Sequence, residues 1–380
     1  MRVGHPARVL PELRAHSLDL LVEDHPDARL ARRLSREATV LRERATRYTR
    51  AKPAAGAKRE MRDEASRLLS DARRLESQAL QQVLDGATVV CATMTSLDSE
   101  ILGQRFFDLA VIDEACQSTE PACWIPLLRS GRLVLAGDHC QLPPTVISLE
   151  AEREGFAVSL LERLVALYGS VITCPLSVQY RMHQLIMEFS SGEFYHSSLT
   201  ADESVRTHRL CDLPGVASNG ATATPLHFTD TAGAGYDEEV EPDGESRLNP
   251  QEAELVGSHV RTLLESGVTA DDIAVITPYA AQVRLLRSRL AQTPGLEIDS
   301  VDGFQGREKE AVVISLVRSN SEGQIGFLAD VRRMNVALTR ARRRLVVIGD
   351  SATISVHPFY QRLIEYFQRH GAYHSVWDEL

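Results

Sequence analysis

The chain has 380 residues and a formal net charge of −10, with 43% hydrophobic and 25% charged residues. That length holds two ordinary domains with sizeable cores, and the composition is globular, which excludes wholesale disorder. No apolar run nears the roughly 20 residues that span a bilayer, and no apolar stretch of signal-peptide kind follows Met1. The six cysteines (Cys91, Cys116, Cys123, Cys140, Cys174, Cys211) contain no Cys-x-x-Cys pair. This argues against zinc and disulfide frameworks and for a reducing cytosol.

In chain order, the first feature is basic. Residues 29–74 carry 15 Lys+Arg and six Asp+Glu, a local +9 inside an acidic chain. Residues 27–50 and 58–84 read as two helices. Leu30, Leu34, Leu41, Ala45 and Tyr48 in the first, and Met61, Ala65, Leu68, Ala72, Leu75 and Ala79 in the second, recur near 3.5 residues and give each helix one apolar seam. The run 51–57 (Ala-Lys-Pro-Ala-Ala-Gly-Ala) breaks the pattern. The expectation is an antiparallel helical hairpin with arginine-rich outer faces, either a solvated stalk or a clamp on phosphates.

The pattern then changes to short apolar runs at 87–92, 109–112 and 132–136, and again at 225–229, 273–276, 311–316 and 345–348. Helical stretches intervene at 250–266, 279–291 and 331–341. Near-continuous apolar runs alternating with helices predict buried parallel strands, hence two α/β domains with a boundary near 170–175. The acidic, turn-rich segment 231–245 reads as an exposed loop.

Polar residues cluster where such runs end. Asp113-Glu114 follows the run 109–112, where α/β folds bind ligands. One carboxylate there can hold magnesium and the next can orient a water for attack on phosphorus. Taken alone, such a pair is common. It extends here to Asp113-Glu114-Ala115-Cys116-Gln117, and the run 132–136 ends in Gly137-Asp138-His139-Cys140-Gln141-Leu142-Pro143-Pro144. Gln179-Tyr180-Arg181-Met182-His183 and Asn335-Val336-Ala337-Leu338-Thr339-Arg340-Ala341 bring arginines able to meet charge growing on a γ-phosphate. Arg332, Arg333, Arg342, Arg343 and Arg344 read as surface or packing residues. In Val301-Asp302-Gly303-Phe304-Gln305-Gly306-Arg307-Glu308, two glycines allow close backbone approach, and Asp302, Gln305 and Glu308 could read a ribose or couple two sites. The plainer reading is a turn with charged flanks.

Together and in this order, these segments resemble helicase motifs II, III, IV, V and VI. They are most similar to the superfamily 1B group of immunoglobulin mu-binding protein and nonsense-decay helicases, over nearly the whole chain. The resemblance implies two RecA-like α/β domains with parallel sheets: a partial first one over 1–172, carrying the hairpin insertion at about 27–84, and a second over 173–380. ATP would lie between them and a single strand of DNA or RNA across their top, with 5′→3′ movement. Residue by residue, it implies magnesium on Asp113, water activation by Glu114, γ-phosphate sensing by Gln141 and arginine fingers at Arg181 and Arg340. Gly306 and Glu308 would contact nucleotide; Thr93, Pro278, Tyr279, Ser300 and Asp302 would contact the strand, and the hairpin would touch phosphates.

One part of the family pattern is missing. The phosphate loop Gly-x-x-x-x-Gly-Lys-[Ser/Thr] cradles phosphates with backbone amides and its lysine. This chain has only three lysines, Lys52, Lys58 and Lys309, and none lies in such a loop. The expectation is the C-terminal part of an ATP-dependent helicase, nearly inactive alone, with the loop supplied upstream or by another chain. The alternative is a non-hydrolysing nucleic-acid binder or regulator. A cytoplasmic, bacterial protein with no membrane partner is expected.

Overall fold

The computed structural model describes residues 1–4, 10–46, 56–97, 100–242 and 244–378. By backbone contacts they divide into two units, Met1–Ala136 and Gly137–Leu380. Among the described residues, no helix is long and apolar enough to cross a membrane, and all six cysteines are free.

In the first unit the expected hairpin is built from the helices Pro26–Thr46 and Ala57–Asp85. Most of its expected turn (51–55) and Tyr48 lie outside the described residues. The buried seam is alanine: Ala31, Ala38 and Ala45 on one helix and Ala65, Ala72 and Ala79 on the other, each at most 1% exposed and spaced by seven. Leu34, Leu41, Leu68 and Leu75 flank it, half-buried. A one-methyl side chain in every second layer lets two helices approach closely. This corrects the first helix's seam: Leu30 is 37% exposed, and Ala31 and Ala38 take the core positions. The outer ion pairs Arg59–Asp63, Arg67–Glu64 and Arg74–Asp71 are exposed, so each contributes little to stability.

Residues 87–92 are not a strand. Cys91 forms an isolated bridge with Arg2: Val3 N–H donates to the Cys91 carbonyl (2.8 Å) and Cys91 N–H to the Met1 carbonyl (2.8 Å). Val89 is left 63% exposed. The next two runs are strands, β1 (Ala110–Ile112) and β2 (Leu133–Leu135), paired in parallel with Val111 opposite Val134.

The second unit contains β3 (Val178–Gln179), β4 (Thr200–Ala201), β5 (Leu226–Asp230), β6 (Glu239–Val240), β7 (Arg247–Leu248), β8 (Ile273–Thr277), β9 (Glu297–Ser300), β10 (Lys309–Ser315), β11 (Ala341–Gly349) and β12 (Tyr373–Ser375). Six of them form one all-parallel sheet in the order β12-β5-β11-β10-β8-β9. Alternation along the strands sorts the core into two layers. Ala274, Ile276, Val312, Ile314, Leu345 and Val347 face the layer of helices Gln184–Phe194, Val331–Leu338 and Pro358–Arg369. Ile273, Val275, Ala311, Val313, Val346 and Ile348 face the layer of Pro250–Glu265 and Ala280–Arg289. This is the doubly covered parallel sheet expected of a RecA-like domain. The segment 231–245 is not simply an exposed loop. It holds β6, paired antiparallel with β7, and a buried Glu238 side chain.

Because every strand of the large sheet runs the same way, its carboxyl ends (Asp230, Thr277, Ser300, Ser315, Gly349) share one edge. Its amino ends (Leu226, Ile273, Glu297, Lys309, Ala341) share the other.

Candidate nucleotide and nucleic-acid sites

In the first unit, β1 delivers Asp113 and Glu114 to its carboxyl end. Glu114 has a left-handed backbone (φ 51°), which an L-residue adopts at a cost of about 1 kcal/mol or more. Three contacts hold it there. Its N–H donates to Asp113 Oδ1 (3.0 Å), Gln117 Nε2 donates to its Oε2 (2.7 Å), and Ala115 N–H donates to the Ala136 carbonyl (2.9 Å) just beyond β2. Asp113 Oδ2 has no hydrogen-bond partner among the described residues, so the hard oxygen donor that magnesium takes is present and exposed. Thr93 is exposed ahead of the short helix Met94–Leu97, its hydroxyl bonded to Ser96 Oγ (2.8 Å).

In the second unit the candidates sort by sheet edge. At the amino edge lie Arg181, Gly306, Glu308 and Arg340. Arg181 Nε bonds Glu308 Oε2, and its Nη1 donates to the Thr339 carbonyl (3.3 Å). Gln179 shapes this turn by accepting Arg181 N–H (2.8 Å) and Met182 N–H (2.7 Å). Gly306 turns with φ 77°. Arg340 is only 3% exposed. Its Nε donates to the Val336 carbonyl (2.9 Å), its Nη1 to the Arg307 carbonyl (3.4 Å) and its Nη2 to Thr339 Oγ1 (3.0 Å). Thus both arginines are parked on protein acceptors, Arg181 on a carboxylate and Arg340 on carbonyls and a hydroxyl.

Gln141 joins this group through a chain of hydrogen bonds. Its Nε2 donates to Asp138 Oδ2 (2.8 Å), which also accepts the Tyr195 hydroxyl (2.6 Å). Asn335 Nδ2 donates to Tyr195 Oη and to the Cys140 carbonyl (both 2.9 Å), and the Asn335 carbonyl accepts Thr339 Oγ1 (2.8 Å). Burial, reinforced by Asp138, raises the Tyr195 phenol above its ordinary value and pushes the Cys140 thiol up to about 11. Both stay protonated at neutral pH. Sequence reasoning missed Tyr195, whose position just past the helix Gln184–Phe194 carries no signal of its own.

At the carboxyl edge lie Pro278, Tyr279, Ser300 and Asp302. Ser300 caps the short helix Val301–Phe304 by accepting Gly303 N–H (3.1 Å). Asp302 is exposed and pairs with Arg333 (3.6 Å). Tyr279 is 3% exposed, and its hydroxyl accepts from Arg318 Nη1 (3.3 Å) and Phe327 N–H (3.3 Å). Its ring face is therefore not open to a ligand. Arg318 is held by Glu238 (2.7 Å), with both side chains nearly fully buried. Residues 301–308 lead from the carboxyl end of β9 to the amino end of β10, so one short segment serves both edges.

Two protein-family models, each described as an AAA domain, match residues 1–149 and 156–352. The chain belongs to the AAA-domain helicase family. It is similar to DNA-binding protein SMUBP-2 of Rattus norvegicus, 44% identical over 387 residues that cover 100% of this chain and 39% of that protein. It is also similar to DNA polymerase alpha-associated DNA helicase A of Schizosaccharomyces pombe, 39% identical over 379 residues, 98% of this chain and 56% of that protein. A regulator of nonsense transcripts 1 homolog of Arabidopsis thaliana is 39% identical over 301 residues, 76% of this chain and 23% of that protein. These relatives are superfamily 1B helicases, the group read from the motifs. The chain spans between about a quarter and just over half the length of these three family members.

Proposed function

We propose that this chain is the C-terminal part of an ATP-dependent helicase that couples ATP hydrolysis to 5′→3′ movement along a single strand of DNA or RNA. The observation that carries the reading is the convergence of three motif segments (178–183, 306–308 and 335–340) on one cluster of Arg181, Glu308, Thr339 and Arg340. A γ-phosphate competes for both guanidinium groups. As ATP binds, Arg181 exchanges Glu308 for phosphate oxygens and Arg340 leaves its carbonyls, and both then meet charge that grows in the transition state. Gln141 reports the γ-phosphate, Gly306 and Glu308 contact the nucleotide, and Glu114 takes the proton of the attacking water. Asp113 holds magnesium, which when bound shields the phosphate charge.

Thr93, Pro278, Ser300 and Asp302 line the strand, with Tyr279 supporting from below. The basic hairpin adds phosphate contacts. The functional boundary between the two RecA-like domains is put at 172/173, and the protein is assigned to the cytoplasm. The phosphate loop comes from an upstream segment or a separate chain.

A second reading, a non-hydrolysing nucleic-acid binder, is favoured by one fact: no lysine of the chain lies in a phosphate loop. Lys309 is instead paired with Glu297 (3.0 Å). ATP turnover separates the two. The chain alone gives near-background rates. Fused behind a phosphate-loop segment, it gains strand-stimulated turnover that Glu114→Gln lowers by about 100-fold or more. Turnover that survives Glu114→Gln contradicts the role of Glu114. Strand binding without any turnover in the fusion favours the second reading.

A further inference from the structure

We propose that the Phe327 ring is a stacking platform for a base of the bound strand. The inference rests on the reading of the carboxyl edge as the strand site and adds a residue that no motif assigns. Phe327 is 58% exposed. A lone exposed apolar side chain is ordinary on a protein surface; the scaffolding around this one is not.

The turn that carries Phe327 is fixed on both sides by one buried hydroxyl. Tyr279 Oη accepts Phe327 N–H (3.3 Å) and donates to the Ile325 carbonyl (3.5 Å). Gly326 has φ 54°, and a Cβ there would lie 2.2 Å from Arg318 Nη1 and 2.7 Å from Tyr279 Oη. Only glycine fits. Leu328 is buried, and its carbonyl accepts the Tyr360 hydroxyl (2.8 Å). Between these anchors the turn leaves a single large apolar ring outside.

That ring is supported rather than stray. It packs on Tyr279 (centroids 5.5 Å apart, planes at 51°), and the Arg333 guanidinium sits 5.8 Å from its centroid. Arg333 also pairs with Asp302 and Asp330, both at 3.6 Å, so its charge is already matched and adds little pull on phosphates. What the turn offers is a rigid π-face at the sheet edge that carries Ser300 and Asp302. A pre-positioned ring loses little conformational entropy when a base stacks on it. Every base has a π-face, so the preference is for single strands over duplex and is tolerant of sequence.

The test is fluorescence-anisotropy titration of the full chain with a labelled single strand and with the same backbone lacking bases. Phe327→Ala weakens binding of the intact strand about tenfold, leaves binding of the abasic strand unchanged, and leaves the salt slope unchanged because no phosphate contact is lost. Phe327→Leu keeps the packing on Tyr279 without a π-face and behaves like alanine; Phe327→Trp retains affinity. Three results overturn the platform: Phe327→Leu binding like the unsubstituted chain, equal loss on both strands, or no loss on either. If the unsubstituted chain binds no single strand at all, the strand-site reading fails, and the platform with it.

Discussion

Replacing Glu238 with alanine lowers the unfolding midpoint of the chain by about 6–12 °C. The cause is a buried charge left without its partner. Arg318 and Glu238 are 6% and 5% exposed at the side chain and 2.7 Å apart. Glu238 also accepts Ser319 N–H (3.0 Å) and Asn320 Nδ2 (3.2 Å), and pairs with Arg247 (3.3 Å). Truncation leaves the Arg318 guanidinium with only Tyr279 Oη of these partners in a desolvated site, a loss of about 3 kcal/mol, which is about 6–12 °C for a unit of this size. Glu238→Gln keeps an acceptor and loses less, because a neutral oxygen still meets Arg318. Thermal unfolding followed by circular dichroism checks both variants. A Glu238→Ala midpoint within a degree or two of the parent contradicts a buried pair.

Glu252→Gln and His183→Asn tilt the pH dependence of stability in opposite directions. Glu252 is fully buried, and its two oxygens accept Val317 N–H at 3.0 and 3.1 Å. They hold a β-branched residue at φ 71°. Burial, opposed by the Val317 N–H, the Ser315 hydroxyl and the Leu316 N–H, pushes the Glu252 carboxyl from 4.5 up to about 7. Between those values the native state binds a proton that the unfolded chain lacks, so stability falls as pH rises through the window. His183 is the reverse case. Its Nδ1 accepts Leu185 N–H (3.0 Å) as a helix cap. Burial first, then the neighbouring His208 and Arg209, hold it from 6.5 down to about 4, against the pull of Glu188 and Asp212. There the unfolded chain binds the proton, so stability rises with pH.

Each group alone is worth about 3 kcal/mol across its window. In the parent chain the two slopes offset each other between about pH 4.5 and 6.5. With Glu252→Gln the rising limb appears, and with His183→Asn the falling limb appears, His208 damping the second because it is also held low. Urea unfolding between pH 4 and 7.5 reads both. Two variants that track the parent profile contradict the assignment.

Much of the second unit was legible because buried parallel strands declare themselves. Ile273–Thr277 and Ala311–Ser315 are apolar almost throughout, as strands covered on both faces must be. The same rule fails at 87–92, where the backbone forms only isolated contacts, Cys91 bridging Arg2, and Val90 and Ala92 pack on the small cluster of Val3, Leu18, Leu84 and Leu102. In the hairpin the period holds, but the first helix's seam runs through Ala31 and Ala38 and leaves Leu30 outside. A leucine outranks an alanine in hydrophobicity, yet Ala31 and Ala38 take the seam because their small side chains let the helices close.

The motif loops were legible as polar clusters at strand ends, but what holds them was not. Glu252 sits in a helix, where a glutamate reads as solvent-facing. Glu238 sits in an acidic stretch that reads as a loop. Tyr279 resembled a strand contact, and only its 3% exposure turns it into a support. Phe327 was unflagged because a single phenylalanine has no pattern. These are tertiary facts that depend on which atoms the fold brings within hydrogen-bond reach.

Two surfaces are proposed to bind a single strand of nucleic acid: the basic hairpin in the first unit and the parallel-sheet edge in the second. The most direct measurement is the affinity of the full chain for a labelled single strand as a function of salt. Binding at low salt is expected to weaken steeply, with log Kd rising linearly in log salt by about 0.7 for each phosphate contacted, and with a shallower slope when hairpin arginines are reversed to glutamate. No binding at low salt rules out a strand site on these surfaces, as does an affinity indifferent to salt.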